Sequence, residues 1–269
     1  MGFARVHRWP LISSAGWGRE DSVPDVVRLS RTLAWRQAAA EIDALRPMFL
    51  DQLRREDLRG KLVLDLGTGE GRLAFEAARL GARVVGVDLD RNRLAHARAY
   101  AGIRDVRRAE FVWGDVEKTP YDEFTRDPID VVVSNLCMSA EIVSHASRAL
   151  RPGGAFIFCC HHGDHWRETR RGSRWAFFED AMANLLEEHR FAVEFTGVDT
   201  TIVTFEEFGE VALFLRSATV RKWVEDGRWD ELDAAFARGD KHLTLSYLIV
   251  KARRIASPYT TERKTQTDF

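Results

Sequence analysis

The chain has 269 residues, 45% hydrophobic and 30% charged, which suits one large globular domain or one domain with an elaborated cap. Its formal net charge of −1 excludes an overall field drawing it to nucleic acid or a membrane, though local patches remain open. No run of about 18 apolar residues exists, so no transmembrane helix is expected, and the opening MGFARVHRWPLISS lacks the apolar centre of a signal peptide.

Residues 1–22 read as irregular. Ser22-Val-Pro-Asp25 looks like a helix start, and helices are predicted to fill 24–57 with a break near Pro47, an N-terminal cap over 1–58. From Lys61 the pattern changes. Short apolar runs at 62–66, 82–88, 110–114, 129–135, 154–160 and 191–198 alternate with helical segments at 70–80, 91–101, 140–150 and about 175–189. Such alternation predicts βαβ units, and runs that are apolar throughout predict strands covered on both faces. Residues 59–200 are therefore expected to be the core.

Residues 201–240 differ. Thr204-Phe-Glu-Glu207 reads as a capping box, with Phe208, Val211, Ala212 and Leu215 on one helical face. Further helical pieces carry Val220, Trp223 and Val224, then Trp229, Leu232 and Phe236. This helical insert is expected to be a lid. LTLSYLIVKA, within 241–253, is the last core strand, and 254–269 is a polar tail.

The stretch LVLDLGTGEGRLA passes from a strand into a helix through Gly67, Gly69 and Gly71. Such glycines let a ligand approach the backbone closely, at a helix start whose free N–H groups favour negative charge. The dinucleotide fingerprint would need a glycine at 72, where Arg72 stands, and no G-K-[ST] follows as a Walker A loop requires.

Together with VVGVDLD, GDVEKTP, DVVVSNL and LRPGG, in that order, LDLGTGEG resembles the motifs of class I S-adenosylmethionine-dependent methyltransferases, closest in flavour to the type 11 group, over roughly residues 60–160. The resemblance implies a doubly wound, mostly parallel, seven-stranded Rossmann-like sheet with S-adenosyl-L-methionine as cofactor. It implies Asp88 on the ribose hydroxyls, a role that its place at a strand tip about twenty residues past the glycines also suits. It further implies Asp115 on the adenine amino group, Asp65 near the methionine ammonium, and Gly67 and Gly69 as the floor. Thr68, Gly71, Leu89, Val116 and Asn135 complete the expected cofactor contacts. Leu136 and Cys137 depart from the [DNS]-P-P-[YF] tip of base-amino methyltransferases, which argues against methylation of an adenine amine.

Methyl transfer from a sulfonium needs alignment and exclusion of water. A base helps only when the acceptor is a hydroxyl or a protonated amine. In such a sheet ligands bind beyond the carboxyl ends of the strands. That puts Asn135 and the stretch CCHHGDHWRETRRGSRW (159–175) at the rim. His162 or His165 could act as base, with Asn135 beside the nucleophile. The same stretch could hold a metal or be only a polar loop; no metal is expected, because a neutral leaving group needs none. Arg171 and Arg174 could clamp an anionic group of the acceptor, and Trp166 and Trp35 could wall an apolar pocket or simply pack the cap. The three cysteines make no disulfide framework, so a reduced, cytoplasmic setting is expected. The favoured reading is methyl transfer to a small organic acceptor. An RNA or protein acceptor, or a non-catalytic cofactor-binding protein, are the alternatives. No membrane partner is expected, nucleic acid is less favoured, and the sequence gives no oligomeric state.

Overall fold

The computed structural model describes residues 25–256 except 40, 41, 43 and 174; the helix start expected at Ser22–Pro24 and the clamp residue Arg174 lie outside them. In chain order the elements are β1 (Val27–Ala34), α1 (Trp35–Ala39), α2 (Pro47–Arg55), β2 (Leu62–Leu66), α3 (Arg72–Arg79), β3 (Arg83–Asp88), α4 (Arg91–Ile103), β4 (Ala109–Trp113) and β5 (Ile129–Asn135). They continue with α5 (Ala140–Ala149), β6 (Leu150–His162), β7 (Ala176–Phe177), α6 (Glu179–Glu188), β8 (Phe191–Thr204), α7 (Gly209–Phe214), α8 (Ser217–Asp226), α9 (Arg228–Ala237) and β9 (His242–Arg254).

The strands form one sheet in the order β1-β8-β9-β6-β5-β2-β3-β4, with the two-residue β7 beside β6. All described pairings are parallel except those of β9, which runs antiparallel to both β6 and β8. Seven of these strands are the expected ones; β1 and β7 are additions. Alternating strand residues feed two cores. One lies under α1–α4 and the α7–α9 insert, around Phe49, Leu53, Leu73 and Trp223. The other lies under α5 and α6, around Ile142, Met182, Phe156 and Leu248. Helices on both faces explain why β2, LVLDL, is buried at every position.

Two expectations fail locally. Residues 27–34, expected to be helical, form the edge strand β1, paired in register from Val27↔Gly197 to Ala34↔Thr204. VRLSRTLA has a period-2 reading as well as a helical one, and the extension of β8 past 198 offers it a partner, so tertiary pairing decides. The capping box at Thr204–Glu207 does not form either. Thr204 ends β8, and a Glu210 carboxylate oxygen accepts the Glu206 N–H at 2.7 Å instead. The buried face of α7 is accordingly Val211, Phe214 and the following Leu215, while Ala212 is exposed.

Candidate active site

After β2 the chain runs outward through β3 and β4, then crosses back to place β5 on the other side of β2. At this reversal the loops after β2 and β5 diverge and leave a crevice at the strand tips. A cavity of about 620 Å³ opens there, and Asp65, Gly67, Thr68, Gly69, Asp88, Leu89, Asp115, Val116 and Asn135 all line it. The expected cofactor residues therefore converge, Gly71 excepted, although they come from four separate strand ends. Gly71 has a structural task at the N-cap of α3. Its φ is +85°, and a Cβ there would come within 2.9 Å of the Phe75 and Phe111 rings.

Gly67, with φ +67°, lets the loop cross close to the β5 tip; an added Cβ would lie 2.6 Å from Cys137 Cβ. The loop is braced by the two acids it brings together. Asp88 Oδ2 accepts the Gly69 N–H at 2.7 Å, and its Oδ1 accepts the Asp90 N–H at 2.8 Å. Asp65 is 1% exposed and accepts the Thr68 hydroxyl at 2.6 Å. Burial pushes its carboxyl up to about 7, against the lowering effect of the Thr68 and Ala74 hydrogen bonds. Asp115 Oδ1 accepts the Glu117 N–H at 3.1 Å, and its Oδ2 lies 3.2 Å from Lys118 Nζ.

The donor set fits S-adenosylmethionine. The lining carries five acids (Asp65, Glu70, Asp88, Asp115, Glu117) against three arginines (Arg72, Arg93, Arg216), a surplus of negative groups suited to a sulfonium and an ammonium. At Gly69, φ +57°, the nearest atom to an added Cβ is 3.8 Å away, so the backbone there leaves room for a ligand.

The cavity is also lined by residues outside the expected cofactor set. Leu45 precedes α2, Leu136 and Cys137 follow β5, Trp175 precedes β7, and Arg216 leads into α8. Leu136 holds a left-handed φ of +61° while its N–H donates to Cys159 O at 2.7 Å. Such strain in a bulky residue is kept where surrounding contacts over-determine it. The Cys137 thiol is pushed up to about 12, chiefly by burial with the nearby acids adding to it, and so remains neutral.

The histidines of the 159–175 stretch lie elsewhere than expected, although Trp175 at its end does line the cavity. Neither His162 nor His165 lines the cavity, and each is 2% exposed. The chain turns sharply after β6: the His165 N–H donates to His162 O, and the Trp166 N–H donates to Thr244 O of β9. This folds residues 163–166 onto β9 and away from the cavity. His162 points to the α6 side, with Nε2 2.9 Å from Glu179 Oε2 and Nδ1 accepting the Asp164 N–H. His165 Nδ1 accepts the Ser246 N–H at 3.1 Å, and its ring stacks on His161 at 4.1 Å. Burial holds its pKa well below the ordinary histidine value. Both histidines thus occupy packing positions, and a base role at the transferred methyl does not fit them. Trp166 packs edge-on against Trp223 at 4.8 Å, and Trp35 is half-buried in α1; neither lines the cavity. Arg171 faces a separate concavity, which Trp175 also lines.

Comparisons with known proteins agree with this fold. Residues 57–189 match the "Methyltransferase domain" family. A probable S-adenosylmethionine-dependent methyltransferase of Mycolicibacterium smegmatis is 30% identical over 197 residues, 67% of this chain and 73% of that protein. The ribosomal protein L11 methyltransferase of Thermus thermophilus is 39% identical over 108 residues, 39% of this chain and 40% of that protein. The ubiquinone biosynthesis O-methyltransferase of Acinetobacter baumannii is 33% identical over 126 residues, 44% of this chain and 51% of that protein. Among solved structures, that of a candidate methyltransferase from Bacillus halodurans superposes with a TM-score of 0.59 at 20% identity, covering 77% of this chain and 99% of that one. With its motifs, its sheet and its acid-lined crevice in agreement, the chain belongs to the S-adenosylmethionine-dependent methyltransferases.

Proposed function

We propose that the protein methylates a small organic acceptor that enters the cavity under Leu45, Trp175 and Arg216. The observation that carries this reading is the origin of those three residues. They come from the N-terminal segment, the rim after β6 and the helical insert, and they converge on one cavity of about 620 Å³. Small-molecule sites span about 300–1,000 Å³, and this cavity has to hold the cofactor as well, so the space beside it favours a small acceptor.

When bound, S-adenosylmethionine supplies a methyl group on positive sulfur with a neutral leaving group. The chain's own residues bind and orient. Asp88 holds the ribose hydroxyls, Asp115 accepts from the adenine amine, and Asp65 faces the ammonium. Thr68, Gly67 and Gly69 set the floor, while Leu89 and Val116 flank the adenosine. Asn135, at the tip of β5, orients the acceptor through its amide. The hydrophobic rim side chains limit water at the methyl, and alignment supplies most of the rate gain.

The match to an O-methyltransferase of ubiquinone biosynthesis supports a small acceptor. The match to L11 methyltransferases supports a protein acceptor instead, but it spans only 40% of the Thermus thermophilus protein. Transfer of labelled methyl from S-adenosylmethionine into cell extract, split by size, tests the choice. Label in the small-molecule fraction is expected. Label confined to protein or RNA would overturn the reading.

A further inference from the structure

Beside the cofactor cavity lies a second concavity of about 280 Å³, where the segment after β6 meets the α8–α9 hairpin. Arg171, Ser173, Trp175, Lys222, Asp226 and Arg228 line it. Its cations are not equivalent. Arg228 is committed to Asp226, with Nε 3.0 Å from Oδ1 and Nη2 2.6 Å from Oδ2. Among the described residues, no salt bridge holds Arg171 or Lys222. Arg171 lies close against the hairpin, with Nη2 3.6 Å from where a Cβ on Gly227 would stand. Lys222 Nζ stands 5.9 Å from the centre of the Trp175 ring. Arg171, whose charge favours the ionised Asp226, and Lys222, in cation–π range of Trp175, thus share a pocket with an indole that is 40% exposed.

Trp175 is the link, because it also lines the cofactor cavity. One molecule lying along this indole could reach both. We infer that the second concavity is the anion subsite of the methyl acceptor. Arg171 and Lys222 hold a carboxylate or phosphate monoester, the acceptor's apolar body lies on Trp175, and its nucleophile reaches the cofactor cavity. The inference rests on the small-acceptor reading above. A guanidinium and an ammonium suit an oxyanion, and an aromatic face suits a planar or apolar body. A polyanion such as RNA fits less well. The surrounding hairpin surface exposes Glu225, Asp230 and Asp233, which would repel a continuing phosphate backbone.

The test uses the full chain loaded with S-adenosylhomocysteine. Calorimetry compares 1-naphthyl phosphate and 1-naphthoate with neutral 1-naphthol, then with inorganic phosphate and a uridine oligonucleotide. Both naphthyl anions should bind at least about tenfold more tightly than 1-naphthol. Arg171→Gln and Lys222→Gln should each weaken them about tenfold while S-adenosylhomocysteine affinity stays within about twofold. Absence of anion binding, or naphthyl anions indifferent to both substitutions, would overturn the subsite. So would inorganic phosphate binding as tightly as naphthyl phosphate, or the oligonucleotide binding more tightly than either. A wild-type chain that fails to bind S-adenosylhomocysteine would instead overturn the reading beneath it.

Discussion

Asp88→Ala removes a carboxylate whose two oxygens each already accept a backbone N–H, from Gly69 and from Asp90. In the proposed pose the remaining lone pairs accept the ribose hydroxyls. A hydrogen bond to a charged group contributes about 1.5–3 kcal/mol net, and water can replace part of it at this half-buried position. Counting one such bond as lost gives a weakening of about 10- to 150-fold in S-adenosylhomocysteine affinity. Asp88→Asn should not restore binding. Either way its amide turns, an NH₂ group faces a backbone N–H donor, so the loop loses a brace along with the ligand. Calorimetric titration reads the affinity, and a thermal melt in parallel reports whether the variant is folded. A folded Asp88→Ala chain with wild-type affinity would refute both the pose and the brace.

Asp65 carries the next expectation. Its carboxyl is raised from 3.8 to about 7 in the free protein, and an ammonium beside it favours the ionised form, so binding should release a proton. Affinity should therefore tighten as pH rises towards about 7 and level off above it, as titrations in buffers of different ionisation enthalpy would report. Without ligand, this raised group makes the fold lose stability as pH climbs from 3.8 to about 7, and Asp65→Asn should flatten that slope in denaturant melts. Gly67→Ala should lower both melting temperature and cofactor affinity, because its Cβ would meet Cys137 in a left-handed backbone; the double variant with Cys137→Gly should recover part of the loss. His165→Ala should destabilise the chain by about 2–4 kcal/mol in urea while cofactor affinity holds, since its ring fills a stacked, buried place. Exhaustive chelation should leave turnover unchanged, because the sulfonium leaves as a neutral thioether; loss of activity restored by one particular metal would contradict this.

The legible part of the molecule is the part whose determinants are local. In LDLGTGEG the glycines and the acid at the strand tip sit where the backbone itself must turn, so their spacing carries the geometry. The alternation of apolar runs with helices likewise fixes seven strands, because burial on both faces leaves an uninterrupted apolar signature. What escaped depends on distant partners. VRLSRTLA becomes a strand only because β8 continues beside it to Thr204. His162 ends β6 and His165 follows it in sequence, yet the turn at 163–166 carries His165 onto Ser246 and Trp166 onto Thr244, near 80 residues away. Leu45, Trp175 and Arg216 reach the cavity from three segments that share no spacing, and only packing brings them together. Trp175 closes a stretch whose place at the rim was legible, but beside Phe177 and Phe178 nothing in the sequence marks it as the wall between two concavities.

The most direct test of the account is a crystal structure of the complex with S-adenosylhomocysteine. The ribose hydroxyls are predicted within hydrogen-bonding distance of Asp88, with the amino-acid end over Gly67 towards Asp65 and the sulfur facing the β5 tip at Asn135. A ligand bound away from Asp88, or an intact crevice that stays empty while the ligand occupies another site, would contradict it.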